Sequence, residues 1–295
     1  MTLFSSVEDA HAKLAGTGYL VDEELATVVF LGDAMSKPLL LEGPAGTGKT
    51  ELAKAVAEGT GATLIRLQCY EGLDEARALY EWNYRKQLLR IQAAQVEGED
   101  SGAWDDLHDD IFGEEFLLER PLLAAIRHPG PLVLLIDEAD KADVEVEGLL
   151  LELLSEFQVT VPELGTISAT QRPFVVLTSN ATRELSEALK RRCLHAQVEY
   201  PEPARERAIV RSRVPAVTAE LAEQIVKAVR ALRALDLRKA PSVAETIDWA
   251  RALEALGHRE LTDAVVSRTL GVVLKNDHDK VKAREQLRLP SPWVA

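Results

Sequence analysis

Short apolar runs alternate with helical patterns over most of the chain, and this alternation is the strongest constraint on its fold. Apolar runs of this length, bounded by turn-forming residues, are typical of buried parallel strands joined by crossover helices. The pattern therefore predicts an α/β fold built on a parallel sheet. The predicted strands are 39–42, 63–67, 132–136, 174–178 and, more weakly, 196–200, and the clearest intervening helical patterns are 49–58, 117–127 and 144–157.

Helical patterns replace this alternation at both ends of the chain. Residues 6–36 read as helical, and Ser5 or Ser6 is expected to cap the first helix. After the last strand, 3.6-residue periodicity predicts a small all-helical domain over 204–276, while the acidic stretch 98–110 predicts a surface insertion. The expected organisation is an N-terminal helical segment, an α/β domain, a helical domain and a C-terminal tail, at 1–36, 37–201, 204–276 and 277–295.

The segment LLLEGPAGTGKTELAKA, residues 39–55, places a glycine-rich loop between a predicted strand and a predicted helix. It satisfies the pattern G-x-x-x-x-G-K-[ST], in which backbone N–H groups surround the phosphates of a nucleotide. Lys49 is expected to reach the β- and γ-phosphates, and the Thr50 hydroxyl to bind Mg²⁺. The residues predicted to contact the nucleotide are Gly43, Pro44, Ala45, Gly46, Thr47, Gly48, Lys49, Thr50 and Glu51.

An acidic pair ends the apolar run in PLVLLIDEADKAD, residues 131–143. Acids at the carboxyl end of a parallel strand lie at the edge where α/β proteins bind ligands. Asp137 is therefore predicted to hold Mg²⁺ through a water molecule, and Glu138 to polarise the attacking water. The same pair would also suit the N-terminus of a helix, but the complete phosphate loop upstream favours catalysis.

Polar residues also follow the next strand, FVVLTSNAT, residues 174–182. Asn180 is placed to contact the γ-phosphate or the nucleophilic water, although Ser179 and Asn180 would also suit a turn. Farther along, Arg191 and Arg192 are candidates for an arginine that enters a neighbouring subunit's site and stabilises transition-state charge. A pair of surface arginines would look the same in the sequence.

Charge and composition narrow the possible partners and location. The formal net charge of −14 disfavours general binding to nucleic acid or anionic membranes. No apolar run approaches the ~20 residues that cross a bilayer, and the start MTLFSSVEDA has no signal-peptide pattern, so the cytoplasm is expected. Cys69 and Cys193 are predicted to be small buried residues.

Together these motifs resemble the AAA+ ATPases: the Walker A loop at 43–50, Walker B at 132–138, sensor 1 at Asn180, then the arginines and a helical lid. Finer detail is similar to the MoxR branch and, within it, to the CoxD-like accessory ATPases of carbon monoxide dehydrogenase. The stretches that carry this finer likeness are 66–92, 114–126, 177–201 and 238–253.

The resemblance implies an ATP- and Mg²⁺-dependent ATPase that assembles into a ring, expected to be a hexamer, and remodels a protein client. The implied client is a molybdenum hydroxylase such as CO dehydrogenase whose metal centre is being matured, and a von Willebrand factor A protein is an implied partner. The family also implies an insert in helix 2, at about 71–84, and a hairpin before sensor 1, at 159–170. Tyr80, Trp82 and Tyr84 in that insert are expected to be packed rather than to grip a client.

The sensor 2 site departs from the family pattern, and the position of the arginine finger leaves a choice between two residues. Lids of this family carry a sensor 2 arginine where this chain has Pro241, Ser242 and Val243, so Arg238 or Lys239 would have to substitute. Of the two arginines after sensor 1, Arg192 fits the family pattern better.

Other functions share the same nucleotide-binding core. A nucleic-acid-dependent ATPase, such as a loader or a restriction-type motor, is the main alternative, and the negative charge counts against it. A small-molecule kinase is also compatible with the phosphate loop, but the Asp137–Glu138 pair suits the activation of water.

Overall fold

In the computed structural model, which describes residues 2–97 and 111–290, the chain divides into two compact units. The first comprises residues 1–42 and 50–197, and the second comprises 43–49 and 198–295. The predicted acidic insertion at 98–110 lies outside the described residues. Among the residues described, no helix is long and apolar enough to cross a membrane.

The first unit is built on a five-stranded sheet in which every neighbouring pair is parallel, and the strands lie in the order 63–68, 132–137, 174–179, 39–42 and 194–197. Two antiparallel two-stranded sheets accompany it: residues 80–82 pair with 117–119, and 158–161 pair with 165–168 as a hairpin. The strands are β1 Leu39–Glu42, β2 Thr63–Gln68, β3 Tyr80–Trp82, β4 Leu117–Glu119, β5 Leu132–Asp137, β6 Gln158–Val161, β7 Gly165–Ser168, β8 Phe174–Ser179 and β9 Leu194–Gln197. This arrangement confirms the predicted parallel sheet and the predicted hairpin before sensor 1.

Helices of the first unit precede the sheet in the chain or connect its strands. Ser6, one of the two residues predicted to cap the first helix, does so by accepting the backbone N–H of Asp9. The helices are α1 Val7–Gly16, α2 Glu23–Ala34, α3 Lys49–Thr60, α4 Glu75–Ala78, α5 Tyr84–Glu97, α6 Pro121–Arg127, α7 Val144–Glu156 and α8 Glu187–Lys190, with 3₁₀ turns at Glu114–Phe116 and Ala139–Lys141.

Three sequence predictions need correction in this unit. The helix predicted over 117–127 begins only at Pro121, because proline suits the first helical position and holds the preceding Arg120 extended, so 117–119 pairs as a strand instead. The predicted helix 6–36 is two helices, since Gly18 has a φ of 77° after the first and Asp22 caps the second. The weak strand predicted at 196–200 lies at Leu194–Gln197.

Strand register determines which side chains meet at the carboxyl edge of the sheet. Gln68 pairs with Asp137, and Glu42 pairs with both Ser179 and Gln197. β5 and β8 are buried along their whole length, as their continuous apolar runs require. Since Ile136 of β5 pairs with Leu177 of β8, the carboxyl ends of all five strands lie along this edge.

The second unit is helical apart from the glycine-rich loop at 43–49. Its apolar core includes Val229, Trp249 and Leu270, each fully buried. The same unit holds a buried ion pair in which Arg233 donates to both carboxylate oxygens of Glu206 at 2.8 Å. The helices are α9 Pro203–Arg213, α10 Ala219–Arg233, α11 Val243–Ala255, α12 Asp263–Val273 and α13 Asp277–Gln286, the last of which lies in the predicted C-terminal tail.

Candidate ATP-binding and hydrolysis residues

Asp137 ends β5 with its carboxylate buried and fully engaged. Its side chain is 3% exposed, and its Oδ1 accepts hydrogen bonds from the hydroxyls of Thr50 at 2.9 Å and Thr178 at 2.6 Å. Its Oδ2 accepts from Nη2 of Arg66, on β2, at 2.5 Å. The structure thus brings together Thr50 and Asp137, the two residues predicted to hold Mg²⁺.

Glu138 follows in a left-handed backbone conformation, with φ of 56° and ψ of 48°. A residue with a side chain adopts this conformation at a cost, and such residues cluster at functional sites. The Thr178 hydroxyl accepts the Glu138 N–H at 2.9 Å while donating to Asp137, so a single side chain fixes both acids. The turn between β5 and α7 is held by the neighbouring strand.

Three side chains contact the Glu138 carboxylate. Gln68 donates to Oε2 at 3.0 Å, Lys141 donates to Oε2 at 2.6 Å, and the amide of Asn180 lies 3.5 Å from Oε1. The contact with Glu138 raises the pKa of Lys141 above its usual range. Asn180 therefore lies beside Glu138, where both were predicted to act on the attacking water.

Asp140 anchors the segment that carries Asn180. This buried carboxylate accepts the backbone N–H of Asn180 at 3.2 Å and the N–H and hydroxyl of Thr182 at 3.0 and 2.5 Å. Burial acts to raise the pKa of Asp140, but these hydrogen bonds outweigh it and hold the pKa below its usual value. The turn that carries Glu138 is thus tied directly to the loop that carries Asn180.

The glycine-rich loop belongs to the second unit, where its own backbone engages its lysine. Nζ of Lys49, which is 5% exposed, donates to the carbonyl oxygens of Gly43 at 2.7 Å and Pro44 at 2.8 Å. The Thr47 hydroxyl donates to the same Pro44 carbonyl at 3.0 Å. These bonds close the loop into a compact turn, which continues along the chain into Thr50 and α3.

Two glycines of this loop have no room for a side chain. A Cβ on Gly43 would lie 2.0 Å from the Val198 carbonyl oxygen, and one on Gly46 would lie 2.4 Å from Oγ of Ser242. Their φ values of 150° and 73° also favour glycine. The carbonyl oxygen of Gly46 accepts a hydrogen bond from the Val243 N–H at 3.2 Å. The first residue of α11 is therefore in contact with the loop.

Ser242 occupies the place where a sensor 2 arginine was expected. It caps α11 in a capping box with Glu245, whose carboxylate accepts the Ser242 N–H at 2.9 Å. Arg238 and Lys239, the proposed substitutes, donate their backbone N–H groups to Asp279, and Nζ of Lys239 lies 3.8 Å from Glu245. These contacts involve the helical unit alone, and the role of Arg238 or Lys239 as a substitute sensor stays a prediction.

The remaining predicted residues lie at the surface of their units. Glu51 pairs with Lys54 on α3 at 2.6 Å, and Ala45 is exposed. Arg192 donates to Oγ of Ser155 at 2.7 Å and to the Ala188 carbonyl at 2.9 Å, whereas Arg191 is exposed.

The aromatic residues of the predicted insert divide into two groups. Trp82 is buried and makes edge-on contacts with Tyr80 and Phe112. These contacts confirm that Tyr80 and Trp82 are packed. Tyr84, in contrast, is 63% exposed, so the prediction that it is packed is wrong. Both cysteines are buried as predicted, and burial raises the pKa of each to about 12.

Sequence reasoning missed four of the residues that hold this site, namely Arg66, Gln68, Thr178 and Asp140. A usable signal existed for Thr178, because it lies within the polar end of a predicted strand. Arg66 and Gln68 interrupt an apolar run at alternate positions, which indicates one polar face of the strand that ends at the ligand-binding edge.

A protein-family model, described as the ATPase family associated with various cellular activities (AAA), matches residues 39–201. This match spans the sheet and its site, and with the helical C-terminal region it confirms the predicted fold class. The 26S proteasome regulatory subunit 8 of Caenorhabditis elegans is 29% identical over 185 residues, which cover 59% of this chain and 34% of that protein. Its homolog in Schizosaccharomyces pombe is 26% identical over 240 residues, which cover 77% of this chain and 46% of that protein.

The chain thus spans between a third and a half of the length of these curated relatives. Among solved structures, the RuvB Holliday junction branch migration motor of Thermotoga maritima aligns with a TM-score of 0.43 and 16% identity, over 97% of this chain and 71% of that one.

Proposed function

Because the chain belongs to the AAA family of ATPases, we propose that it is a MoxR-type, ATP-driven chaperone that remodels a protein client. The proposed client is a molybdenum hydroxylase, such as CO dehydrogenase, during maturation of its metal centre. The AAA family accounts for nucleotide binding and ATP hydrolysis, whereas the MoxR-type role rests on the likeness of segments 66–92, 114–126, 177–201 and 238–253.

The contacts that hold Glu138 are the main support for the proposal that the protein hydrolyses ATP at this site. Its carboxylate is one-third exposed, lies beside Asn180, and is fixed through its backbone by Thr178. A carboxylate held in this way can accept a proton from a water molecule and orient it for attack on a phosphoryl group. This arrangement favours water, rather than a small-molecule substrate, as the acceptor of the phosphoryl group.

The oxygens of Thr50 and Asp137 fit a magnesium ion. Hydroxyl and carboxylate oxygens are the hard ligands that Mg²⁺ prefers, and the ion characteristically completes its shell with water and substrate phosphates. Mg²⁺ would supply neutralisation of phosphate charge. The loop N–H groups and Lys49 would bind the phosphates, and Asn180 would orient the nucleophile together with Glu138.

A ring oligomer, which we propose to be a hexamer, would place an arginine of one subunit in the site of the next. Arg192 and Arg191 remain the two proposed fingers. Arg192→Ala and Glu138→Gln should each abolish hydrolysis in homogeneous rings. Mixing the two inactive proteins should restore activity, because some sites then combine an intact Glu138 with an intact Arg192 from the neighbour. Failure of mixtures to recover activity, when subunits exchange, would transfer the role to Arg191 or exclude action between subunits.

The client is best identified with a variant that binds ATP and does not hydrolyse it. Tagged Glu138→Gln, purified with ATP and Mg²⁺ from the organism that encodes it, should retain its client. Glu145→Gln is a matched control, since Glu145 is an exposed acid on α7 and the substitution changes charge equally. Enrichment of a molybdenum hydroxylase subunit or a von Willebrand factor A protein over this control supports the proposal.

Two results would overturn parts of the proposed function. Normal turnover by Glu138→Gln would remove the catalytic assignment. Recovery of nucleic acid, together with severalfold stimulation of ATPase activity by DNA or RNA that falls steeply with salt, would replace the protein client with a nucleic-acid one.

A further inference from the structure

Arg66 is a cation bound to the carboxylate that is expected to serve Mg²⁺. Its Nη2 donates to Oδ2 of Asp137 at 2.5 Å, and the Asp137 side chain is only 3% exposed. A carboxylate this deeply buried is strongly destabilised unless a positive charge or hydrogen bonds compensate it. Arg66 supplies a positive charge at this carboxylate.

The two oxygens of Asp137 have different partners. Oδ1 accepts from the hydroxyls of Thr50 and Thr178, which are neutral, whereas Oδ2 accepts from Arg66. A metal ion that approaches this carboxylate therefore meets a site whose charge is already neutralised. Arg66 and a divalent cation would each compensate the charge of this same carboxylate.

Arg66 is placed to leave this contact readily. Its side chain is 48% exposed and lies on β2, which is an edge strand of the sheet. A half-exposed guanidinium can keep its charge hydrated while it moves, so release costs less than release of a buried one.

Arg66 also contacts the side-chain oxygen of Gln68, two residues along the same face of β2. Gln68 in turn donates to Oε2 of Glu138 at 3.0 Å. The same guanidinium thus contacts both Asp137 and Gln68, and Gln68 contacts the carboxylate proposed to activate water.

We propose that Arg66 is a displaceable counter-ion of Asp137 that competes with Mg²⁺ and so sets the Mg²⁺ concentration at which the protein takes up nucleotide. The inference rests on the proposed Mg²⁺-dependent ATPase function. In this role Arg66 acts through Asp137 and does not touch the nucleotide. Its replacement should therefore change the Mg²⁺ concentration needed for nucleotide binding.

The test measures binding of a fluorescent ADP analogue while Mg²⁺ is raised from a chelated solution to millimolar concentration. In Arg66→Gln the Mg²⁺ midpoint should fall about fivefold or more, a typical size for coupling between two ligands. Arg66→Lys retains the charge and should stay closer to wild type. Arg120→Gln is the matched control, because Arg120 is 40% exposed and pairs at 2.5 Å with Glu81 rather than with Asp137.

A second readout uses the wild-type protein and does not depend on how the variants fold. Modification of Arg66 by phenylglyoxal, followed by mass spectrometry, should increase when Mg²⁺ is added to the ADP-bound protein. An unchanged or decreased reactivity would overturn the inference.

The outcomes separate this inference from the function beneath it. If nucleotide binding and hydrolysis by the wild type do not respond to Mg²⁺, the proposed metal dependence is wrong. If the wild type responds but Arg66→Gln has an unchanged or higher midpoint than the Arg120→Gln control, Arg66 does not compete with the metal and only this inference fails.

Discussion

Replacing Asp140 tests how the loop that carries Asn180 is held in place. Asp140→Ala removes one hydrogen bond to the Asn180 N–H and two to Thr182. Hydrogen bonds to a charged group contribute about 1.5–3 kcal/mol each. Thr182 is exposed and its donors regain water, so we expect a total loss of about 3 kcal/mol rather than the full sum.

This loss should appear in both stability and catalysis. For a unit of this size about 3 kcal/mol corresponds to a fall in melting temperature of roughly 6–12 °C, measured by scanning calorimetry. Because Asn180 loses its backbone anchor, kcat should fall about 10- to 100-fold while ADP affinity stays within about twofold. Glu145→Ala, an exposed substitution on the following helix, is the control.

Asp140→Asn gives the pH dependence of the same contact. Since the folded-state pKa of Asp140 lies below its ordinary value, its stabilising contribution is complete above about pH 4 and is lost as the pH falls further. The difference in melting temperature between wild type and Asp140→Asn should therefore be constant near neutrality and shrink below about pH 4. A wild-type melting temperature in Asp140→Ala, or a lowered one with unchanged kcat, would refute the positioning role.

Three further predictions concern the loop and the helical unit. Lys49→Ala should weaken ATP binding at least about tenfold by isothermal titration calorimetry, because a phosphate-binding charge is lost, and retained affinity would contradict this role. Gly46→Ala should lower stability by about 1–3 kcal/mol through its φ of 73° and its contact with Ser242, and Ser242→Gly in the same chain should recover the contact part. Glu206→Gln should lower the free energy of unfolding, measured in urea, by about 3–5 kcal/mol, because the buried Arg233 loses its counter-charge. The double change Glu206→Leu with Arg233→Met should recover most of the loss.

Local sequence was sufficient for the strands that form the middle of the sheet. The run at 39–42 is reproduced without change, and those at 132–136 and 174–178 each extend by one residue. Strands buried on both faces are continuous apolar runs, so their limits are visible in the chain. The convergence of Asp137 and Asn180 followed from the same pattern, since parallel strands end at a common edge.

Strand order and long-range contacts were beyond a single sequence. Arg66 and Gln68 reach the acids only because β2 pairs with β5, and Thr178 because β5 pairs with β8. The choice of neighbour in a sheet depends on packing throughout the unit, which local propensity does not encode. The same holds for Ser242, whose contact with Gly46 joins residues that are distant in the chain.

That last contact has a consequence for how the protein is made. Gly46 and Val243, joined by a backbone hydrogen bond, are separated by about 200 residues of chain. At ordinary rates of synthesis the loop leaves the ribosome about 10 to 40 seconds before its partner exists. During that interval the glycine-rich loop is part of a nascent chain without the helix that contacts it, so premature termination between residues 51 and 242 would yield a polypeptide that carries the whole predicted nucleotide motif but lacks this contact.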